Sequence, residues 1–480
     1  MAHTQMFIDG KWTEAASGQK LEILNPATED TIDAVDYGGR QEAAAALEAA
    51  QRAFVDWRKQ TAWQRGELLR KIGDVLRQRA DDIAHAMTLE QGKPLAEAKA
   101  ETMMSALNFE WFGEEAKRIE GRWAPTMVPE KRYLTMKHPV GVCAAISPWN
   151  FPVLLQARKI APALAAGCTV VCRPASQTPM CLIKVFECLE EVGLPAGVVN
   201  LVMGPPGDIV EEFMENPICR KISFTGSTEV GKELMRRAAD GVKRVSLELG
   251  GHAPVLIFDD VDAEQAARIS VTGKFRNNGQ VCISPTRFYV HDKIRSDFLD
   301  ATVSFTKQLK QGNGLDEGVE IGPMFEPKAM EKTQRLIDQA VSVGAKVMTG
   351  GKRSDHFKKG YFFEPTVLDS VTNKADIMTE EPFAPIMPVL SFEKIDEAIA
   401  EANNTIYGLA AYVMTNDLST AIRMAEGLEY GIIGINDPVP STVQSPFGGM
   451  KQSGIGREGG HEGIEPYLET KAVSFMLRDR

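Results

Sequence analysis

Apolar and polar positions divide the chain into a helical first part and two later stretches in which strands and helices alternate. In residues 41–89, apolar side chains recur at the spacing of amphipathic helices. The Gly-Lys-Pro sequence at residues 92–94 interrupts this spacing, and the pattern predicts a further helix over residues 95–120. Residues 132–137 alternate in polarity and residues 140–146 are continuously apolar, which predicts a strand in each segment.

From residue 169 onward, short apolar strands alternate with helices. The predicted strands cover residues 169–172, 198–202 and 221–224, and the predicted helices cover residues 180–192 and 229–239. Strands that alternate with helices of about 10 to 15 residues form parallel sheets covered by helices on both faces. This stretch therefore predicts an α/β domain.

A second stretch with the same alternation begins near Val255 and runs through residues 283–290, 344–349 and 363–368. It predicts a second α/β domain, and 480 residues are enough for two or three domains. Residues 472–477, at the end of the chain, have the pattern of a strand. That strand forms either a local sheet edge or an edge lent to a neighbouring subunit, and the pattern favours neither.

The acidic composition argues against several classes of function. The formal net charge is −11 and long basic runs are absent, so a nucleic-acid partner is not expected, although a local site can still bind an anionic substrate. No apolar stretch approaches the roughly 20 residues that span a bilayer, and the N-terminus lacks the features of a signal peptide, so we expect a cytoplasmic protein. The seven cysteines show neither metal-binding spacing nor a disulfide framework, which predicts no metal site.

Cys282 follows Asn-Asn-Gly-Gln at residues 277–280, where a helix must end, and precedes an apolar strand. Asn and Gly tolerate the unusual backbone of such a junction, so the cysteine can face a pocket while its neighbours are buried. A nucleophilic thiol needs partial exposure together with a lowered pKa or a nearby base. On this motif alone, a structural cysteine is the alternative to a catalytic one.

Glu248 ends a strand-like segment and lies between Leu247 and Leu249. A carboxylate between leucines is partly desolvated, and desolvation raises its pKa towards the range of a general base. A surface salt bridge is the alternative interpretation.

Gly226 and Ser227 form a turn between a predicted strand and a predicted helix. Backbone N–H groups and the positive helix terminus at such a turn suit a phosphate group. Because the motif lacks the Lys-Ser of a P-loop, an ordinary strand-to-helix turn is the alternative.

Asn150 lies in Ser-Pro-Trp-Asn-Phe-Pro at residues 147–152, a turn that two prolines constrain. Its side-chain amide can donate to an oxyanion that develops during a reaction. The alternative is an asparagine that only caps the turn.

Together and in this order, these motifs closely resemble those of the aldehyde dehydrogenase superfamily, over essentially the whole chain. The matching segments are Pro148-Trp-Asn-Phe-Pro152, Phe224-Thr-Gly-Ser227, Glu248-Leu-Gly-Gly251, Gly279-Gln-Val-Cys282, Glu381-Pro-Phe383 and Pro446-Phe-Gly-Gly449. The resemblance implies an α/β fold with a Rossmann-like NAD(P)-binding domain (residues 1–124 and 147–250), an α/β catalytic domain (251–445) and a small β oligomerisation element (125–146 and 463–480). It also implies a homodimer or homotetramer.

The resemblance implies catalytic roles for three residues. Cys282 would attack the aldehyde carbon, and the Asn150 amide with the Cys282 backbone N–H would hold the oxyanion of the thiohemiacetal. After hydride transfer to the nicotinamide cofactor, a thioester would remain. Glu248 would then activate the water that releases the carboxylic acid.

The resemblance also implies contacts to the cofactor. Glu381 would hold the nicotinamide ribose, and Phe383 would pack beside the ring. Ser227, next to Gly226, would meet the pyrophosphate at the start of the helix. Trp149 would lie near the cofactor.

Finer matches concern the substrate. Residues 87–99 and 463–469 resemble the succinate-semialdehyde dehydrogenase branch, which grips the far carboxylate of its substrate with two arginines and a serine. The matching residues here are Arg158, Arg276 and Ser441. A guanidinium suits bidentate carboxylate binding, so a small anionic aldehyde is expected. If these arginines instead belong to structural ion pairs, the substrate is an uncharged aldehyde. The length of the substrate stays open, because related semialdehyde enzymes also carry arginines.

Four positions depart from the pattern of the family. Arg173 replaces the ribose-binding lysine, and Ser176 stands where strictly NAD-dependent relatives usually carry glutamate. A carboxylate repels a 2′-phosphate, whereas Ser176 with Arg173 can accept one, so we expect NADP to be used, alone or alongside NAD. Ser284 replaces a second cysteine of several relatives, which predicts no redox-switch disulfide. Ala384 replaces a glycine, and no consequence follows from the sequence.

Two rival functions can be compared with these residues. Coenzyme A-acylating dehydrogenases of the same fold generally lack the water-activating glutamate, and Glu248 is present. A catalytically silent binding protein on this scaffold would be expected to lose the cysteine, the asparagine or the glutamate, and all three are retained.

Overall fold

The computed structural model describes residues 3–478, and helices pack around four sheets in this part of the chain. Residues 1–2 and 479–480, which belong to the predicted cofactor domain and oligomerisation element, lie outside the described residues. The α-helices are α1 Arg40–Trp57, α2 Ala62–Gln78, α3 Ala80–Gln91, α4 Leu95–Glu115, α5 Pro152–Ala166, α6 Met180–Val192, α7 Pro206–Glu215, α8 Thr228–Ala238, α9 Ala263–Phe275, α10 Arg295–Gln308, α11 Pro327–Ser342, α12 Ile395–Asn403 and α13 Leu418–Gly427.

The strands are β1 Met6–Ile8, β2 Lys11–Thr13, β3 Lys20–Leu24, β4 Thr31–Asp36, β5 Arg122–Ala124, β6 Lys131–Pro139, β7 Val142–Ile146, β8 Thr169–Arg173, β9 Val199–Leu201, β10 Cys219–Thr225, β11 Arg244–Glu248, β12 Ala253–Ile257, β13 Pro285–His291, β14 Lys346–Thr349, β15 Thr366–Asp369, β16 Ile386–Phe392, β17 Ala410–Met414, β18 Ile432–Ile435, β19 Gly454–Ile455 and β20 Leu468–Met476.

The first large sheet has the strand order β19-β11-β10-β7-β8-β9-β1-β2. Its five central strands pair in parallel, which confirms the predicted parallel sheet. Every residue of β7 and β8 is buried, as expected for strands covered on both faces. The edge strands β1, β2 and β19 pair antiparallel and were not predicted, because strands of two or three residues show no usable periodicity.

The second large sheet has the order β14-β15-β16-β13-β12-β17-β18 and is parallel except at β14. This confirms the second predicted α/β stretch. Three predicted starts were too early: the strands begin at Pro285, Lys346 and Thr366 rather than at residues 283, 344 and 363. At the first of these positions the backbone still turns, with the Ser284 N–H donating to the Val281 carbonyl at 2.9 Å.

A small antiparallel sheet of order β20-β6-β5 contains the predicted strand at the end of the chain. β20 pairs with β6 from Leu468 opposite Pro139 to Met476 opposite Lys131. The predicted helix over residues 95–120 is shorter than expected, because α4 ends at Glu115 and a single 3-10 turn follows. β20 is an edge strand of this sheet, and its extension by a neighbouring subunit stays a prediction.

No helix in residues 3–478 has the length and apolar character needed to cross a membrane.

Candidate active site

The carboxyl ends of neighbouring parallel strands bring together residues that are far apart in the sequence. β8 ends at Arg173, β10 at Thr225 and β11 at Glu248, and β7 ends shortly before Asn150. Parallel strands end at one edge of their sheet, where α/β proteins bind ligands. The Gly226 N–H also donates to the Glu248 carbonyl at 3.0 Å, which ties two of these strand ends together.

Cys282 lies on the loop between α9 and β13, residues 276–284, which we call the nucleophile loop. Asn277, Asn278 and Gly279 adopt positive φ angles of 46°, 57° and 71°, which confirms the unusual backbone expected at this junction. Cys282 keeps partial exposure, whereas the other six cysteines of the chain are buried. The structure therefore separates this thiol from the rest by its access to solvent and substrate.

Burial raises the pKa of the Cys282 thiol to about 12, although the nearby charges of Arg158 and Arg276 act in the opposite direction. Glu381 and Glu248 raise it further, because a negative charge disfavours a thiolate. The thiol is thus protonated at neutral pH. Of the two ways of activating a thiol that the sequence left open, a lowered pKa is not observed, and a base is required.

Asn150 is fixed against the nucleophile loop. Its Nδ2 donates to the Gln280 carbonyl at 3.1 Å, and its own carbonyl accepts from Lys93 Nζ at 2.7 Å and from Asn277 Nδ2 at 3.0 Å. Since Nδ2 carries two hydrogens, one is left to donate to a substrate oxygen. The amide therefore contacts the nucleophile loop, and its role as an oxyanion donor stays a prediction.

Glu248 is 2% exposed, and neither carboxylate oxygen has a hydrogen-bond partner among the residues that the structure describes. Burial raises its pKa well above the usual value, and the negative charge of Glu458 raises it further. The cations Lys159, Arg158 and Arg457 oppose this shift. The elevated pKa expected from the sequence is confirmed, and the surface salt bridge is excluded by burial.

Lys159 and Glu458 form a buried ion pair near Glu248 that the sequence did not reveal. Lys159 Nζ donates to Glu458 Oε1 and to Thr225 Oγ1, both at 2.6 Å. One signal was available: Lys159 lies in α5, an almost wholly buried helix in which a charge must find a partner. Glu458 carries no local signal, because its partner is 299 residues away in the sequence.

The two arginines and the serine expected to bind a carboxylate have different surroundings. Arg158 is 5% exposed, donates to Ser441 Oγ at 2.7 Å and stacks on the Phe447 ring at 4.3 Å. Arg276 lies over the Phe151 ring at 5.2 Å and makes no ion pair with any residue between 3 and 478. The structure thus brings Arg158 and Ser441 into contact and leaves the Arg276 guanidinium available.

A cavity of about 390 Å³ lies against the nucleophile loop. Val281 and Ile283, on either side of Cys282, line it together with Arg276, Glu97 and Tyr412. The remaining lining is mostly apolar. Cys282, Asn150, Glu248, Arg158 and Ser441 are not among its lining residues, whereas the carboxylates Glu97 and Glu320 are, so this cavity is not where those residues would meet a substrate.

Arg173 and Ser176, the residues expected to accept a 2′-phosphate, are in contact. Arg173 Nη2 donates to Ser176 Oγ at 2.9 Å and to the Gly204 carbonyl at 3.2 Å. Arg173 Nε is buried and has no partner within the described part of the chain. Because that Nε is buried, an anionic group of a nucleotide would meet Nη1, which makes no hydrogen bond in the same residues.

The turn at Gly226 and Ser227 opens α8, as the sequence predicts. Ser227 is the N-cap residue, and its Oγ accepts from the Val230 N–H at 3.3 Å. A Cβ at Gly226 would lie 2.3 Å from the Phe224 ring, so only glycine fits there. The free N–H groups at this helix start suit a pyrophosphate.

Glu381, Phe383 and Trp149 form the third group of expected cofactor residues. Glu381 Oε1 accepts from the Gly251 N–H at 3.1 Å, and burial raises the pKa of Glu381 to about 7. Trp149 stacks on Phe325 at 4.0 Å and meets the edge of Phe383 at 5.7 Å. A carboxylate and an aromatic cluster thus lie at one end of the site, which fits a ribose and a planar ring.

The chain is similar to known proteins in sequence and in structure. The profile of the Aldehyde dehydrogenase family matches residues 12–473. The chain is 47% identical to the glutarate-semialdehyde dehydrogenase of Pseudomonas aeruginosa, over 97% of this chain and 96% of that protein. It is 46% identical to the NADP(+) succinate-semialdehyde dehydrogenase of Escherichia coli, over 98% of both chains. A crystal structure of succinate-semialdehyde dehydrogenase from Burkholderia pseudomallei superimposes with a TM-score of 0.97 at 44% identity, over 98% of both chains.

Proposed function

Because the chain belongs to the aldehyde dehydrogenase family, we propose that it oxidises a semialdehyde whose far end carries a carboxylate, such as succinate semialdehyde, to the dicarboxylic acid. The observation that carries this proposal is that Arg158 contacts Ser441 and that Arg276 has no ion-pair partner within residues 3–478. Arg158 and Arg276 both act on the pKa of Cys282, so their charges reach the reacting atom. The relatives named for succinate and glutarate semialdehyde act on substrates with a terminal carboxylate, which supports the same class here.

In the proposed reaction, Cys282 Sγ attacks the aldehyde carbon and its proton passes to Glu248. A thiol with a pKa of about 12 needs such a base, and Glu248 has two unpaired oxygens with which to accept the proton. Asn150 Nδ2 and the Cys282 backbone N–H donate to the oxygen of the thiohemiacetal. The bound nicotinamide cofactor supplies the hydride acceptor.

Hydrolysis of the resulting thioester completes the proposed cycle. Glu248 first releases the Cys282 proton to solvent, and it then takes a proton from water while the hydroxide adds to the thioester carbon and the C–S bond breaks. The sulfur leaves as a thiol by taking a proton back. Lys159 and Glu458 adjoin Glu248. Their opposite charges balance each other while Glu248 gains and loses this proton.

For the cofactor, we propose that NADP is accepted through Arg173 and Ser176, with NAD as the alternative. The guanidinium and the hydroxyl are already in contact, and Arg173 Nη1 makes no hydrogen bond within residues 3–478. We assign the ribose of the nicotinamide end to Glu381, and the pyrophosphate to the turn at Gly226 and Ser227. Trp149 and Phe383 would pack beside the bound cofactor.

We also propose that the small sheet β20-β6-β5 assembles the chain into a homodimer or homotetramer. We propose the domain boundaries predicted from the sequence with one change: β5 (Arg122–Ala124) belongs to the small sheet, and β7 (Val142–Ile146) belongs to the first large sheet. The small sheet and its connecting loop expose large apolar side chains, which are rare outside interfaces. They are Trp123, Met127, Tyr133, Met136, Phe475 and Met476. Light scattering of the purified protein tests the proposal, and a monomer at micromolar concentration would refute it.

The substrate and the cofactor are tested together by initial rates with succinate semialdehyde and with butanal, each with NAD and with NADP. We expect kcat/KM to favour succinate semialdehyde by about a hundredfold, equivalent to about 2.7 kcal/mol of transition-state binding. Equal kcat/KM values for butanal and succinate semialdehyde would leave the assignment as a dehydrogenase intact. They would refute the proposal that the substrate carries a carboxylate. Initial rates that strongly favour NAD over NADP would refute the proposed use of NADP.

A further inference from the structure

Tyr37 brings a third side chain to the pair formed by Arg173 and Ser176. It follows β4, at the point where the chain turns towards α1. Its hydroxyl lies 3.2 Å from Ser176 Oγ, which accepts from Arg173 Nη2 at 2.9 Å. Two segments of the chain, Tyr37 and residues 173–176, therefore supply one continuous line of polar groups.

The position of Tyr37 is fixed by the backbone on both sides of its side chain. The Tyr37 N–H donates to the Gln19 carbonyl at 2.9 Å, and the Gly38 N–H donates to the Met203 carbonyl at 2.8 Å. The hydroxyl forms a hydrogen bond with no other side chain than Ser176 in residues 3–478. Its purpose is thus not explained by the fold, because a phenylalanine would pack in the same place.

The three side chains present donors to an anion without an opposing carboxylate in hydrogen-bond contact. Arg173 Nη1 makes no hydrogen bond within residues 3–478, and the two hydroxyls each carry a hydrogen that can turn outward. A phosphate monoester has three acceptor oxygens and a charge near −2. A neutral ribose hydroxyl offers no such charge, so these donors stabilise a phosphorylated ribose more than an unmodified one.

We propose that Tyr37 is a specificity-determining residue that donates to the 2′-phosphate of NADP together with Arg173 and Ser176. This inference rests on the proposed use of NADP and adds a residue to it. Removing the Tyr37 hydroxyl weakens NADP binding and leaves NAD binding unchanged. The effect acts on affinity for the adenosine end, not on the chemistry at Cys282.

The test uses binding rather than turnover. Calorimetry gives Kd for NADP and NAD, and for adenosine 2′,5′-bisphosphate and 5′-AMP, which carry the adenosine end alone. The variant is Tyr37→Phe, and the matched control is Tyr361→Phe. Tyr361 lines the same cavity of about 290 Å³ as Ser176 but makes no contact with that hydroxyl.

We expect Tyr37→Phe to raise Kd for NADP and for the 2′,5′-bisphosphate about tenfold, the size of one hydrogen bond to a charged group. Kd for NAD and 5′-AMP should stay within about twofold, and Tyr361→Phe should change none of the four values. Equal weakening of all four ligands, or no change with the phosphorylated pair, overturns the inference. If the wild-type protein itself binds the 2′,5′-bisphosphate no better than 5′-AMP, the proposed use of NADP falls, and the role of Tyr37 falls with it.

Discussion

Glu101 and Glu248 are both buried glutamates, with exposures of 4% and 2%, but their surroundings are opposite. Glu101, on α4, has complete hydrogen bonding. Its Oε2 accepts from Lys93 Nζ at 2.5 Å, and its Oε1 accepts from the N–H groups of Val153 and Leu154 at 3.0 and 3.1 Å. Glu248, at the end of β11, has no partner for either oxygen in residues 3–478.

From this difference we infer that the Glu101 carboxylate stabilises the fold, whereas the Glu248 carboxylate is positioned for the reaction. Glu101 caps the first turn of α5 and shares Lys93 with the Asn150 carbonyl. Glu248 lies close to Lys159, but that ammonium bonds to Glu458 instead. An unpaired buried carboxylate costs several kcal/mol. We infer that this cost is retained because the oxygens of Glu248 are needed by the reaction.

The largest expected effect is the loss of turnover in Glu248→Gln. The amide keeps the shape of the side chain but cannot accept a proton, so kcat should fall by about 10²- to 10⁴-fold. Stability should not fall, because no hydrogen bond is removed. Steady-state rates and urea unfolding measure the two quantities on one preparation. Turnover close to that of the wild type would mean that Glu248 is only a buried carboxyl.

Glu101→Gln should have the opposite effects: the free energy of unfolding should fall, and turnover should not. Lys93 would lose its buried counter-ion, and removing one partner of a buried pair typically costs about 3–5 kcal/mol of unfolding free energy. Urea unfolding measures this loss. The control is the double variant Glu101→Gln with Lys93→Met, which removes both charges and should recover part of the stability. If Glu101→Gln alone were as stable as the wild type, Glu101 would not stabilise the fold, and it would not differ from Glu248 in this respect.

A smaller effect is expected at the anionic end of the substrate. Arg276→Ala should lower kcat/KM for succinate semialdehyde by about a hundredfold, since one guanidinium contact to a carboxylate is lost. Butanal has no carboxylate and should change by no more than about threefold. Thr272→Ala, in the lining of the same cavity, is the matched control and should affect neither substrate. Equal losses with both aldehydes would make Arg276 a structural residue.

The sequence was informative where chemistry depends on local backbone. The Asn-Asn-Gly run before Cys282 predicted a helix end with positive φ angles, and all three residues have them. The end of β11 at Glu248 was predicted from the apolar pattern and matches the structure. Local sequence succeeds here because a turn or a strand end is decided by a few adjacent residues.

The sequence was uninformative where chemistry depends on which distant groups meet. The pairing of Lys159 with Glu458 joins residues that are far apart in the chain, and no local pattern marks it. The pKa of Cys282 also depends on burial by several elements, which is why a lowered value could not be excluded beforehand. Tyr37 follows a short strand in a sheet that the pattern did not predict, and only the fold brings it to Ser176.

The smallest expected effect is a pH dependence that distinguishes Glu248 from an ordinary carboxyl. Burial raises the folded-state pKa of Glu248 above its unfolded value, so the folded protein binds more protons between the two values. Wild-type stability therefore falls as pH rises from the unfolded pKa through the raised folded pKa. Glu248→Gln has no proton to lose, and its stability relative to the wild type should rise over the same interval. We expect this relative gain to appear in urea unfolding between about pH 5 and pH 9. A constant difference between the two proteins would show that Glu248 is as well solvated in the folded chain as in the unfolded one, and its contrast with Glu101 would be lost.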